Sequence, residues 1–519
     1  MDYQVDHQKN RTQACQKQFD VLYPLPFLKG KAVVVLGLGQ SGQVALKAAK
    51  AAGALVTGYD DCAKNRAKLR REGFDVATLE EVPLTKDTLV VVSPGVAHTY
   101  PKAHPLVAKA KAVGARLSSD VDLFFHHRPK GAIIGVSGTN GKSSTVGLMH
   151  FMLQHAQQEA QMGGNIGLPV LGLKEAAVTV LELSSYQIET APALDCDVAV
   201  LLRLAPDHLD RYASYQAYTQ AKLRLLQPSA FKTAEGFKAW GQTADTQNVA
   251  AQRVQYSLYD ADDPLQCAFV AQQSHSENRC FVPFAMTHVP PKGFALHKGV
   301  LYDTFQTSQP FQLKAAHRLL PAQALLAAFA ALRVLGHKGD ALLEAAALWP
   351  GLAHRLERLP CGAKHRVCVV NDSKATNMAS AAYALSKVKE GVFLPSAQSK
   401  ATSQPCFWLC GGALKEGDDM ALLAPFLPFI TKAFAFGEGA AALTAFLQRH
   451  RVSVEPCSTL EKACAQAAEQ ALKHAQQNLK GPPPLVLLSP GGASFDAFAN
   501  FKQRGEAFKS QIASFCASH

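Results

Sequence analysis

The sequence predicts an α/β chain of three successive units, and three observations carry that expectation. Short apolar runs alternate with helix-period stretches, the pattern of parallel sheets with helical crossovers. Several of these runs end in turns rich in glycine, hydroxyls or charge, where open α/β sheets bind ligands. A length of 519 residues suits about three domains. The expected divisions are an extension over 1–28, then units over 29–127, 128–350 and 351–519.

Residues 1–28 are mostly polar and lack an apolar h-region, so they read as a loosely ordered extension rather than a signal peptide. The first unit opens with a strand at Ala32–Leu36, a turn at Gly37–Gly42, a helix at Gln43–Ala52 and a strand at Ala54–Tyr59. Leu89–Ser93 is a further strand and Lys102–Val113 a helix. Gly37-x-Gly39-x-x-Gly42, with Asp60 ending the next strand, is a Rossmann-like dinucleotide fingerprint. The motif is weak alone. The same turn holds any diphosphate, including that of a UDP-sugar, and a purely structural tight turn would read the same way.

The central unit starts with the most informative stretch, Ile133–Thr145. An apolar strand runs into Gly138-Thr-Asn-Gly-Lys-Ser143, and Val146–Gln154 has helical spacing. This is a strand–loop–helix cradle for phosphate, in a P-loop ATPase-type unit. Glycines let backbone N–H groups turn inward, and the helix start adds positive potential. Lys142 is placed to meet the terminal phosphates, and Ser143 or Ser144 to reach Mg²⁺. It is not a plain Walker A, because Val136 stands where that pattern has its first glycine.

Strands at Val178–Leu183 and Val198–Leu204 follow. Glu182 offers oxygen ligands to a hard cation, although a lone strand-end Glu is ordinarily only solvated. In Pro206–Arg211, His208 can bind metal or accept a proton and Arg211 can clamp an anion; the plain alternative is a charged helix start capped by Asp207. Lys222 falls on a helix over Tyr215–Leu226 and alone is an ordinary lysine. Residues 227–312 show weak alternation, and Ala315–Leu335 reads as a long helix.

The C-terminal unit, also Rossmann-like, has strands at Arg366–Val370, Cys406–Cys410, Ala433–Phe436 and Leu485–Leu488, and a helix at Glu461–Leu479. Three of its strand ends, Val369–Asn377, Gly411–Lys415 and Ser489–Ser494, offer lysine, hydroxyl and glycine for an anionic amino acid. Ala397–Pro405 reads as a surface insertion.

A hydrophobic content of 48% against 18% charged residues supports ample core. No apolar run reaches membrane-spanning length, so no stable membrane insertion is expected. The net charge of +12 comes without a concentrated Lys/Arg block or an aromatic-interleaved basic stripe, which disfavours nucleic acid. Steering of anionic small substrates and generic solubility remain. The 12 cysteines include no Cys-x-x-Cys pair and read as reduced thiols of a cytoplasmic protein.

The motifs together resemble the Mur ligase superfamily from about Lys29 to Phe508. The resemblance rests on Gly138–Ser143, Gly163-Gly-Asn-Ile-Gly167, Leu181–Gln187, Asp207–Arg211, Ala221–Arg224, Gly351-Leu-Ala-His-Arg355, Asn371–Asn377 and Ser494–Gly505. Asn-Asp-Ser-Lys-Ala-Thr marks the D-glutamate-adding branch, where siblings resemble Asp-Tyr-Ala-His.

The resemblance implies three domains, for UDP-sugar, ATP and the incoming amino acid, in a monomer with no nucleic-acid partner. It implies that ATP phosphorylates the carboxylate of UDP-N-acetylmuramoyl-L-alanine and that D-glutamate attacks the acyl phosphate. The cofactors implied are ATP and Mg²⁺, with Lys222 carbamylated by CO₂. Lys142, His208, Lys222 and Lys374 are then catalytic. Gly138, Thr139, Asn140, Gly141, Lys142, Ser143, Ser144, Arg355 and Asp372 bind ATP. Ser143, Glu182, His208 and Lys222 hold metal, and Gly39, Gln40, Ser41, Asp60, Asn165, Ser184 and Arg211 face the UDP-substrate. Thr376, Lys415, Ser494 and the Phe501 backbone take D-glutamate. The chain departs from the family pattern at Arg203, usually Asn, and at His317-Arg-Leu-Leu-Pro321, usually His-Asn-x-x-Asn. A third departure is Gly411-Gly-Ala-Leu-Lys415, usually Gly-Gly-Asp-Gly-Lys.

Overall fold

Strands of apolar, β-branched residues organise the computed structural model into three sheets. It describes residues 22–518 except 209, 228–253, 274–277, 308, 315, 318–319, 360–365, 395–403 and 415–418. The chain forms two compact units, Met1–Trp349 and Pro350–His519.

The first unit holds two sheets. In the smaller, β1 (Ala32–Leu36), β2 (Leu55–Tyr59), β3 (Leu89–Val92) and β4 (Arg116–Ser118) are all parallel in the order β2-β1-β3-β4. The larger sheet contains β5 (Ala132–Ser137), β6 (Ala160–Gly164), β7 (Val178–Glu182), β8 (Val198–Leu201) and β9 (Gln255–Asp260). It continues with β10 (Arg279–Ala285), β11 (Phe294–His297), β12 (Val300–Asp303) and β13 (Phe311–Gln312), and its order is β13-β12-β11-β10-β9-β8-β5-β7-β6. β5 runs parallel between β7 and β8, so its C-terminal end faces the ends of both neighbours.

One apolar cluster runs through both sheets, from Leu25 and Val33 to Ile133 and Leu226. The expected loose extension is corrected where residues 22–28 are described. Tyr23, Leu25 and Leu28 are buried, Tyr23 N–H donates to Leu171 O at 2.9 Å, and its ring lies 4.7 Å from that of Phe124. The stretch 255–312, unreadable by alternation, contributes β9–β13. Their burial is irregular, with both faces of β9 and β10 partly covered, which erases a period-2 signal. The expected long helix begins at Ala322, not Ala315, with Pro321 at its N-cap. Most of its circumference is buried, so burial rather than amphipathicity holds it.

The second unit has one sheet of β14 (Glu357–Leu359), β15 (Cys368–Asn371), β16 (Cys406–Gly411), β17 (Lys432–Phe436), β18 (Val454–Pro456) and β19 (Leu485–Gly491). Its order is β14-β15-β19-β16-β17-β18, parallel except at β14. Cys406 and Cys410 are buried on β16 as small apolar groups. The helices Leu460–Gln477 and Phe501–Ser518 cover one face.

Candidate active site

The phosphate loop lies between β5 and the helix Lys142–His155. Gly138 (φ 146°) and Gly141 (φ 83°) adopt left-handed backbone that side chains resist. At Gly138 a Cβ would also stand 2.6 Å from Leu202, so the loop packs directly onto the chain leaving β8. Thr139 is clamped there: its N–H donates to Arg203 O (3.1 Å), its hydroxyl to Ala205 O (3.1 Å), and Tyr218 Oη stands 3.0 Å away. Asn140 is exposed at the tip, Ser144 is half-buried and Ser143 is buried. Lys142 Nζ donates to Gly138 O (2.8 Å) and Thr139 O (2.7 Å), holding the ammonium over the loop.

The neighbours of β5 bring the expected acid and lysine to this loop. Glu182, at the end of β7, is opposite Val136 and buried. Its Oε1 accepts from Asn165 Nδ2 at 2.8 Å, while Oε2 has no hydrogen-bond partner among the described residues. A buried carboxylate oxygen left without a donor is the kind of ligand Mg²⁺ takes, and the loop's Ser143 is buried as well. Asn165 therefore orients Glu182, a role the sequence reading had not assigned to it. No ready-made group of three His, Cys, Asp or Glu side chains stands among the described residues, so a metal there needs further oxygens.

Lys222, on the helix Tyr215–Leu223, is 2% exposed. Its Nζ donates to Gly138 O (3.0 Å) and Ser137 Oγ (3.3 Å) and lies 5.0 Å from the Tyr218 ring centroid. Burial, then the Lys142 charge, pushes its pKa well below the usual lysine value. His208 has φ 54° and sits 5.4 Å from the Tyr186 ring, with its basicity reduced by burial despite Asp207. Asp207 does not cap a helix as the plain reading had it; Ser214 caps the helix that follows. Arg211 stacks on Tyr186 at 4.7 Å and donates to Gly95 O at 3.2 Å.

The Gly37–Gly42 turn belongs to β1 of the smaller sheet. A Cβ on Gly42 would stand 1.7 Å from Gly37 O, so only glycine allows that approach. Asp60 does not face outward. Its Oδ2 accepts from Leu38 N–H (2.5 Å) and its Oδ1 from Cys62 N–H (2.7 Å), which braces the turn. Gly39 and Gln40 are exposed, and Ser41 hydrogen-bonds buried Asp120, whose carboxyl burial raises to about 6. Ser184 forms a capping box with Gln187 at the helix Ser185–Glu189, so its hydroxyl has a structural partner already.

Three strand ends meet in the second unit as expected. Ser489 Oγ donates to Asp372 Oδ2 (2.9 Å), Gly491 N–H to Ala375 O (3.0 Å), and Ala413 pairs with Ala493. Burial raises the Asp372 carboxyl to about 7 despite hydrogen bonds from Ser489 and Leu356. Arg355 adds a positive charge near Asp372. Lys374 Nζ stands 4.0 Å over the Phe501 ring. Thr376 is half-buried and Ser494 buried, while Lys415 lies outside the described residues.

The sequence reading missed Arg504. Fully buried, it donates to Ser373 Oγ (3.1 Å), Ser373 O (2.9 Å), Gly492 O (3.0 Å) and Ala493 O (3.2 Å). Phe501 O accepts from Ser373 Oγ at 2.8 Å, so the backbone at Phe501 is tied to the same knot. No local sequence signal marks Arg504, because its partner Ser373 lies 131 positions away.

Residues 136–285 match the Mur ligase middle domain. Residues 4–104 match the NAD binding domain of D-isomer specific 2-hydroxyacid dehydrogenases, the reading the glycine turn gives by itself. Among solved structures, UDP-N-acetylmuramate-alanine ligase from Thermotoga maritima has a TM-score of 0.53 at 15% identity, covering 93% of this chain and 99% of that one. The MurF ligase of the same organism, in complex with ADP, has a TM-score of 0.52 at 14% identity, covering 96% and 99%. The fold is that of the Mur ligases. UDP-N-acetylmuramoylalanine–D-glutamate ligase of Phenylobacterium zucineum is 35% identical over 95% of this chain and 98% of its own length. That of Rhizobium etli is 36% identical over 95% and 97%. The chain belongs to the UDP-N-acetylmuramoylalanine–D-glutamate ligase family.

Proposed function

We propose that this enzyme uses ATP to join D-glutamate to UDP-N-acetylmuramoyl-L-alanine in peptidoglycan precursor synthesis. The observation that carries the chemistry is the phosphate loop with Glu182 and buried Lys222 beside it. Support for the acceptor and amino acid comes from the relatives' names and nearly full-length coverage.

In the reaction a carboxylate oxygen of the L-alanyl substrate attacks the γ-phosphorus and ADP leaves. The amino nitrogen of D-glutamate then attacks the acyl carbon, phosphate leaves, and the nitrogen's surplus proton is released. The loop N–H groups and Lys142 bind and orient the phosphates, which makes the attack in-line. Asn165 fixes Glu182 so that its second oxygen is available to Mg²⁺, and Ser143 offers a hydroxyl. Bound Mg²⁺ supplies charge neutralisation to the crowded phosphates.

Lys222 in its neutral form can add through its nitrogen to the carbon of CO₂ and release a proton, and the resulting carbamate would supply the oxygens that an ammonium lacks; His208 lies near enough for the Lys222 charge to act on it. In the smaller sheet, Gly39, Gln40 and Ser41 hold the uridine diphosphate, and Arg211 takes the muramoyl part. In the second unit, Arg355, Asp372 and Lys374 serve the nucleotide; Thr376, Ser494 and the Phe501 backbone serve D-glutamate. Cytoplasmic location fits the family's soluble substrates, and no described helix is long and apolar enough to cross a membrane.

The test is ADP release with each substrate left out in turn and with a panel of amino acids. Release only when UDP-N-acetylmuramoyl-L-alanine, D-glutamate and Mg²⁺ are all present is expected. ADP release that ignores D-glutamate, or prefers another amino acid, defeats the proposal.

A further inference from the structure

The ends of β8 and β9 carry a side-chain cluster for which the reaction above has no use. Arg203 follows β8, and its carbonyl holds the Thr139 N–H of the phosphate loop (3.1 Å). Its side chain is 50% exposed. Nε donates to Asp260 Oδ2 at 3.0 Å, and Nη2 lies 3.5 Å from Asp260 Oδ1 and 3.5 Å from Asp262 Oδ2. Nη1 donates to no described residue. Asp260 ends β9, is fully buried, and also accepts from Gln323 Nε2 at 3.0 Å.

That last bond settles the Gln323 amide. A carboxylate accepts only, so the NH₂ faces Asp260 and Oε1 is turned away from it. Oε1 lies 4.0 Å from where a Cβ on Gly141 would stand, at the mouth of the loop. The cluster thus presents one fixed donor and one fixed acceptor beside the phosphate cradle.

Strand order gives the direction. β7, with Glu182, is on one side of β5; β8 and then β9 are on the other. A nucleotide whose reacting phosphate points toward Glu182 extends its nucleoside over the β8–β9 side.

We infer that Arg203 and Gln323, braced by Asp260, are the nucleoside-positioning residues of this site: Arg203 Nη1 donates to the nucleotide and Gln323 Oε1 accepts from it. The inference rests on the nucleotide reading of the loop. A nucleoside offers Gln323 a donor from two places, a ribose hydroxyl or the 6-amino group of the base.

The experiment is calorimetric binding of ADP, 2′-deoxy-ADP, IDP and UDP to the full chain. Wild type should prefer ADP over one of its two analogues by about fivefold, the worth of one hydrogen bond. Q323L should erase that preference: loss against 2′-deoxy-ADP assigns the ribose, loss against IDP the amino group. The double variant R203A/D260N removes the cation with its buried counter-charge, so no orphan carboxylate unfolds the sheet. It should bind ADP about fivefold or more weakly, the worth of at least one charged hydrogen bond, with UDP affinity and melting temperature unchanged. ADP binding within twofold of wild type in R203A/D260N, no analogue preference in wild type, or a preference retained in Q323L overturns the inference. K142A separates the two readings: if ADP binding survives that change, the nucleotide assignment of the loop itself fails.

Discussion

Two buried ionisable residues, Lys222 and Asp372, are pushed toward their neutral forms by burial, the lysine through a lowered pKa and the carboxyl through a raised one. For Lys222, the folded pKa lies below the unfolded value of 10.5. Between the two the unfolded chain holds the extra proton, so this lysine's burial penalty eases as pH rises. The neutral amine is also the form that adds CO₂. Lys222→Ala is expected to lower kcat by roughly 10–100-fold, the scale of losing metal-site support. Short carboxylates such as acetate or propionate should restore part of it by filling the vacated space with oxygens; no recovery over a concentration series counts against the carbamate. Asp372 runs the other way, its carboxyl raised from 3.8 to about 7. Across that window the folded chain holds the extra proton, so stability falls as pH rises from about 4 and the cost is complete above about 7. The shift sets a ceiling of roughly 4 kcal/mol. Asp372→Asn should flatten the pH slope of the denaturation midpoint between those limits; an unchanged slope shows that Asp372 titrates normally.

At the scale of elements, the helix Phe501–Ser518 fastens the β15 and β19 strand ends of the second unit through one side chain. Arg504 spans the β15 end at Ser373 and the β19 end at Gly492 and Ala493. Arg504→Met keeps bulk but leaves buried carbonyls unpaired, at about 1–3 kcal/mol for each orphaned group. The expected result is a lower denaturation midpoint and a KM for D-glutamate raised more than the KM for ATP. Equal changes in both would make Arg504 a general support of the unit.

Much of this was legible in the sequence because the signals are local. A glycine turn, a lysine and a helix start sit within one stretch at Ile133–Thr145, and β1, β7, β8, β16 and β19 are short runs bounded by polar turns. What could not be read depends on partners distant in sequence. Arg504 meets Ser373 across 131 positions, and Asp60 turns inward because the Leu38 N–H waits for it. β9–β13 escaped because their two faces are buried unevenly.

For the whole molecule, the excess of 53 Lys and Arg over 41 Asp and Glu sets a field against which every substrate must diffuse. The UDP-substrate, ATP and D-glutamate are all anions, so a positive surface raises their encounter rate without touching the chemical step. Screening separates this from generic solubility. The Debye length shrinks from about 14 Å at 0.05 M salt to about 6 Å at 0.3 M, so long-range attraction fades while buried contacts such as Glu182–Asn165 and Asp372–Ser489 persist. Across that range kcat should stay level while KM for the UDP-substrate rises several-fold. Matched viscosity and a non-binding salt pair such as potassium and sodium chloride control for specific ions. A flat KM would show that the charge serves solubility alone, and a falling kcat would place the salt effect inside the site, where the loop lysine and its phosphates interact at short range.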